Sequence, residues 1–485
     1  MTVTSPLQLV IFALVATLIA AATAWQCRRM RSASGRDDHG ARDTFLAGGS
    51  LTWIYVAGAI TITNLGTEQL VGMNGNQMVL LAWWELAGFA GLLMLAFLFL
   101  PIYYRARCTT TTELLERRYG GTSIRTLISG LFMTGYVFLS MPSALYTGAL
   151  FLRTVFNIDI PLLALAAGIA ALGALYGLLG GLRAVAVSET FSGLSLLVIC
   201  IAIVGLGLAA IGWSFDGVPP ERLTLIGTPD SPIPWPTLFT GMIFIQIFYW
   251  STNQAITQKA MASPSLREAQ KGVVAAALIR LAIVPPIVVI PGIIAYKLYG
   301  VVHDAAFGRL VGDVLPPWLS GAFAAILVTS VAAHFVAVLN SAAALYICDL
   351  HQKYINPDVS VPRMNLIVSV IFIGIAIAMV PVYSNAVSII NLLQQLNGLL
   401  SMPILSAFVV GLVFRDVDAR AAIAGVLFGI ALYASFTAVW VPFGLHYIHL
   451  MLVTLVMTIG FALVVNRLVF GRHARFAGWR GVVNA

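Results

Sequence analysis

Apolar residues fall in long runs, separated by short stretches rich in arginine, glycine, proline or other polar residues. Thirteen runs are near or above the roughly 20 residues that a helix needs to cross a bilayer. They cover about 7–25, 51–77, 80–104, 123–154, 160–179, 184–212, 235–257, 272–299, 317–350, 364–383, 386–414, 419–440 and 446–468, and are numbered here as spans I to XIII. The pattern predicts an all-α polytopic membrane protein with about 13 transmembrane helices.

Two spans break the pattern. Span II contains TITNLGTEQLVGMNG, from Thr61 to Gly75, with Asn64, Thr67, Glu68, Gln69 and Asn74 and glycines at Gly66 and Gly72. A helix so polar should not run unbroken through lipid. Irregular backbone survives at that depth only where protein buries it or water reaches it. The competing reading is a polar packing face between helices. Span VII is interrupted in the same way by Gln246, Tyr249, Trp250, Ser251, Thr252, Asn253 and Gln254. Four spans separate the two and they enter from opposite sides. Interrupted helices at matching positions of two five-helix halves predict an inverted repeat with a solute site at mid-membrane. The halves are II–VI and VII–XI. The domain division expected is 1–48 (extra helix and loop), 49–212 (first repeat), 213–234 (outer loop), 235–416 (second repeat) and 417–485 (two extra helices and a basic tail).

Composition agrees with the pattern: 60% of the 485 residues are hydrophobic and 9% are charged. The surplus of basic residues, 27 Lys and Arg against 19 Asp and Glu, reports topology rather than nucleic-acid affinity. With the N-terminus outside, only Arg153, Arg222, Lys297 and Arg309 fall in outer loops, and Arg280 falls inside a span. The rest, Lys259 among them, fall on the inner side. This predicts a multi-pass protein of a bacterial-type inner (plasma) membrane, with its C-terminus in the cytoplasm. Span I lacks the preceding basic residues and following cleavage site of a signal peptide, so it is expected to be retained. The cysteines are too scattered for a metal motif. His446 and His449 are expected at the interface rather than on a metal. There is no nucleotide-binding loop or hydrolase elbow, so an enzyme is not expected, nor is any cofactor beyond a coupling cation. No protein partner is evident; the expected partners are a small solute, the cation and the lipid.

Several segments resemble the sodium/solute symporter family, most of all its sugar-transporting members. They are NLGTEQLVGMNG, WWEL, PIYYRARCTTTTELLERRYG, LYGLLGGLRAV, FYWSTNQ, ASPSLREAQKG, VLNSAAALYICDL and QQLNGLLSMPILSAFVVGLVFR. They span most of the chain from about Asp43 to Gly425. The resemblance implies the leucine-transporter fold: two inverted five-helix repeats, with one N-terminal and two C-terminal extra helices. It also implies site residues. Asn64, Gln69, Glu85 and Gln394 match side chains that hydrogen-bond sugar hydroxyls. Tyr249 matches an aromatic gate on the cytoplasmic side, with Trp250 beside it, and Met73 an outer gate. Amides, carboxylates and an aromatic face suit a polyol. Gln246 and Trp250 are also expected to bind the solute. Three positions depart from those relatives: Gln246 stands for Asn, Arg280 for Lys and Gly88 for Ser. Arg280 is expected either to pair with Glu85 or to contact the solute.

The family's shared sodium site depends on carbonyls at positions matching Ile62, Leu65 and Ser330, and on two hydroxyls matching Ala333 and His334. Both hydroxyls are lost here. Alanine offers sodium no ligand and imidazole a poor one. Glu189 matches an acidic residue near the same site. A proton carried by His334, with Glu189 as a possible second carrier, is therefore favoured over Na+. The expected function is a symporter that imports a glucose- or galactose-like monosaccharide by alternating access. The alternatives are a Na+-coupled transporter of a sugar acid or other small organic solute, with Arg280 clamping the carboxylate, or a sugar sensor.

Overall fold

The structure is a computed structural model. It describes residues 6–34, 45–46, 49–63, 65–156, 158–384, 389–438 and 440–477. For 26–34, 63, 176–185, 188, 389–391, 438 and 443 it describes the backbone alone. Almost all of it is helix. Among the described residues, ten helices are long and apolar enough to cross a membrane, and two shorter apolar helices, Trp53–Ile62 and Leu162–Leu175, accompany them.

The first helix, α1, is Pro6–Ser34. Span II is two helices, α2 (Trp53–Thr63) and α3 (Thr67–Gly75). There follow α4 (Val79–Ala106), the short α5 (Thr112–Tyr119) and α6 (Thr122–Phe156). Next comes α7, Leu162–Ala210, helical over 49 residues. Straight, α7 would measure about 74 Å, more than twice the hydrocarbon thickness of about 30 Å. Its ends lie on one side of the molecule. Five residues separate it from α6, whose last turn packs Thr154 against Gly308. It ends in the 213–234 loop, where Arg222 donates to Gln77 O, and Gln77 donates to Gly300 O at 3.0 Å. The chain therefore crosses twice within α7, the two crossings expected of spans V and VI, without the loss of helix expected between them.

Span VII is also divided. The helix α8 (Gly241–Ile247) runs into a wide π turn over Phe248–Thr252, and the chain is extended at Asn253. It restarts as α9, Gln254–Met261, where the Asn253 side chain caps the Ala255 amide. The remaining helices of nine or more residues are α10 (Leu266–Tyr299), α11 (Ala306–Val314), α12 (Pro317–Tyr354), α13 (Val361–Tyr383), α14 (Ile389–Val413), α15 (Ala419–Ala438) and α16 (Tyr447–Leu468). The last two pack on each other and on α14.

Three further π turns interrupt α4 (Leu95–Phe99), α6 (Tyr136–Ser140) and α12 (Leu345–His351). A π turn inserts an extra residue and loosens the backbone ladder. In each of the four a side chain from another helix takes up a carbonyl. Gln270 donates to Ala96 O at 2.9 Å, Tyr383 to Phe138 O at 2.6 Å, Tyr103 to Ser251 O at 2.9 Å and Arg125 to Cys348 O at 3.4 Å.

The loop face is closed by the Gln77 contacts and by Trp83, which donates to Leu225 O. Asn74 is spent here: its amide donates to Ile287 O and accepts from the Gly292 amide at 2.8 Å. Part of span II's polarity is thus helix-packing glue, as the competing reading had it. The opposite face centres on Arg125, which pairs with Glu116 at 2.5 Å, with Glu113 at 3.1 Å and with the fully buried Asp349. Thr110, Thr112 and Ser129 also donate to Asp349. Here it is called the arginine face.

Candidate functional site

The two divided helices line one cavity. At the first, Leu65 N bonds Ile62 O at 2.9 Å, and Gly66 is extended before α3 begins. Asn64 lies outside the described residues. Beside the break is a cavity of about 1240 Å³, counting the part open to solvent. Its polar lining includes Glu68, Gln69, Gln246, Tyr249, Asn253 and Gln394, and its walls include Trp84, Phe132, Tyr136 and Phe248. It extends past His334 and Val338. Met73 is buried in α3, between Gln69 and the loop face, and is not part of the lining.

Gln69 Nε2 donates to Glu85 Oε1 at 2.5 Å. Its Oε1 is buried and has no partner among the described residues. An acceptor left like that costs about 1–3 kcal/mol unless a ligand or water meets it. Glu85 Oε2 is held by Arg280 Nη2, and Arg280 Nη1 donates to Thr61 O at 2.6 Å. The guanidinium lies over the Trp250 ring, 4.7 Å from its centroid. Glu85, Trp250 and Arg280 are therefore a buried layer behind the cavity wall; none of the three lines it.

Gln246 lines the cavity, but both ends of its amide are used. It donates to Trp84 O at 2.8 Å and accepts from Trp250 Nε1 at 2.9 Å. The three departures from the sugar-transporting relatives meet on that indole. Arg280 covers its face, Gln246 holds its N–H, and a Cβ on Gly88 would come within 2.9 Å of the same nitrogen. Gly91 leaves still less room: an added Cβ would stand 2.4 Å from Gln246 O, a backbone atom. Gly91→Ala should cost about 1–3 kcal/mol, read as a lower midpoint of thermal unfolding in detergent.

At the positions expected to couple the ion, Ser330 Oγ and His334 Nδ1 are buried without partners among the described residues, and Ala333 is fully buried. The Ile62 carbonyl already accepts from Leu65 N. Glu189 is not a free carboxyl. Both its oxygens lie 2.7 Å from Lys259 Nζ, and both side chains are fully buried. Lys259 was expected in an inner loop; instead it lies in α9, facing the core. The histidines at 446 and 449 belong to a helix start: His446 caps α16, and His449 Nδ1 lies 2.9 Å from Thr240 Oγ1.

The model of the sodium:solute symporter family matches residues 44–429. The chain belongs to that family. It is a multi-pass membrane transporter, a cation-coupled symporter and not an enzyme. It is 33% identical to the uncharacterised symporter YidK of Escherichia coli (strain K12), over 95% of this chain and 83% of that protein. It is 28% identical to the sodium/glucose cotransporter of Vibrio parahaemolyticus, over 93% and 89%. A Na+-coupled sialic acid symporter, solved in a substrate-bound outward-open state, superposes with a TM-score of 0.81 at 15% identity, covering 96% of this chain and 98% of that one. The fold of this symporter is thus the leucine-transporter type.

Proposed function

We propose that this symporter imports a neutral monosaccharide, glucose- or galactose-like, and couples it to a proton rather than to Na+. It works in a bacterial-type inner membrane with the arginine face in the cytoplasm. The observation that carries the reading is the character of the cavity. Its wall offers amides and aromatic rings, which suit hydroxyls and ring C–H groups, and among the described residues that line it there is no lysine or arginine. A facing cation would favour a sugar acid, but Arg280 is committed to Glu85 and Thr61 O behind the wall. The missing hydroxyl pair at Ala333 and His334 supports the proton.

The test is uptake into proteoliposomes of a panel of labelled sugars, under separate sodium and proton gradients. An inward proton gradient in sodium-free buffer should drive accumulation of a neutral hexose, and hexuronic acids should not compete. Accumulation that appears only with sodium would remove the proton, and strong competition by uronic acids would remove the neutral sugar. Tyr249→Ala should raise the half-saturating sugar concentration about tenfold, the equivalent of 1.4 kcal/mol, in the same assay.

A further inference from the structure

Among the described residues, Glu68 is the one carboxylate in the lining of the solute cavity. It also faces a second, much smaller pocket at the helix break, of about 280 Å³ counting the part open to solvent, lined by Gly66, Thr67, Gln69, Ala144, Val331 and His334 as well. It forms no ion pair among the described residues. Its single hydrogen-bond partner there is the Ser143 hydroxyl of α6. The other polar tie between α3 and α6 is Thr67 Oγ1 to Thr147 Oγ1 at 2.8 Å. A carboxylate at mid-membrane without a counter-charge is costly, and is met at sites of proton or ion movement. The groups that face it are Tyr249 from the α8 π turn, Tyr383 from α13 and His334 from α12. The Glu85–Arg280 pair lies beyond Gln69, and Lys259 with Glu189 lies on the far side of His334.

We propose that Glu68 binds the coupling proton. The proposal deepens the proton-coupled reading above and rests on it. One proton from water on the loading side adds to a Glu68 oxygen, which leaves the carboxyl neutral. The same proton returns to water on the other side once the cavity opens there. While charged, Glu68 accepts from Ser143 and braces α3 against α6. Protonation weakens that tie, so the proton acts on the broken helix that lines the solute cavity. Glu189 cannot serve in this way without abandoning Lys259.

The test has two arms. Infrared difference spectra of the purified protein in detergent, titrated with no solute present, should contain a protonated-carboxyl band. The band should vanish in Glu68→Gln, shift in Glu68→Asp and persist in the paired variant Lys259→Met/Glu189→Met. Loss of the band only in the paired variant, or its survival in Glu68→Gln, overturns the proposal. In proteoliposomes, Glu68→Gln should lose at least about tenfold of the accumulation driven by a proton gradient, while Glu68→Asp retains part of it. If the wild type moves none of the neutral sugars but keeps a Glu68-dependent band, the sugar reading falls and the proton site stands. If the wild type binds an amino sugar at Glu68 and has no titrating band, the carboxylate is a solute ligand and the proposal is wrong.

Discussion

Replacement of Lys259 by methionine should lower the stability of this symporter by about 3–5 kcal/mol, because it strands the Glu189 carboxylate in a fully buried site. The pair is close, with both oxygens 2.7 Å from the ammonium, and it joins α9 to α7 near the first break. Removal of both charges should be far milder. An apolar pair of similar volume often matches or exceeds a buried ion pair. Lys259→Met/Glu189→Met should therefore recover most of the loss. Thermal unfolding in detergent, followed by tryptophan fluorescence, gives the order: wild type and double variant close together, single variant well below. A single variant as stable as the wild type would mean that the pair is not desolvated as described.

Glu85→Ala should sharply reduce transport while leaving a folded fraction to measure. Three things depend on that carboxylate: Gln69 is oriented by it, Arg280 is neutralised by it, and the Trp250 ring is covered by that guanidinium. Loss of a charged hydrogen-bond partner in a buried network costs about 2–5 kcal/mol, and at 1.4 kcal/mol per factor of ten uptake should fall by about two orders of magnitude. Glu85→Gln/Arg280→Met removes both charges. It should restore the amount of folded protein without restoring uptake, since Gln69 then lacks its charged anchor. Initial uptake rates normalised to purified protein distinguish folding from function.

Much of this was legible in the chain. The polar interruptions of spans II and VII located both broken helices, and the depth of Arg280 called for a partner, with Glu85 one of its two readings. Other features were hidden for physical reasons. Lys259 follows a polar stretch, so it reads as a loop charge; only the extended turn at Asn253 brings α9 and Lys259 back into the core. Gln246 reads as a solute ligand because its type fits a sugar. That both ends of its amide are occupied depends on Trp84 and Trp250, which no spacing rule connects to it. Glu68 stood out as a charge at depth, but its place between two cavities depends on how α3, α6 and α12 come together.

The four π turns bear on how such a molecule can rock. If one of these turns tightens into regular α-helix, it reclaims its carbonyl and lets go of Gln270, Tyr383, Tyr103 or Arg125 on a neighbour. Each turn is thus a tooth meshed with the next helix, and a winding motion in one rod is handed on to its neighbour instead of dissipating in lipid.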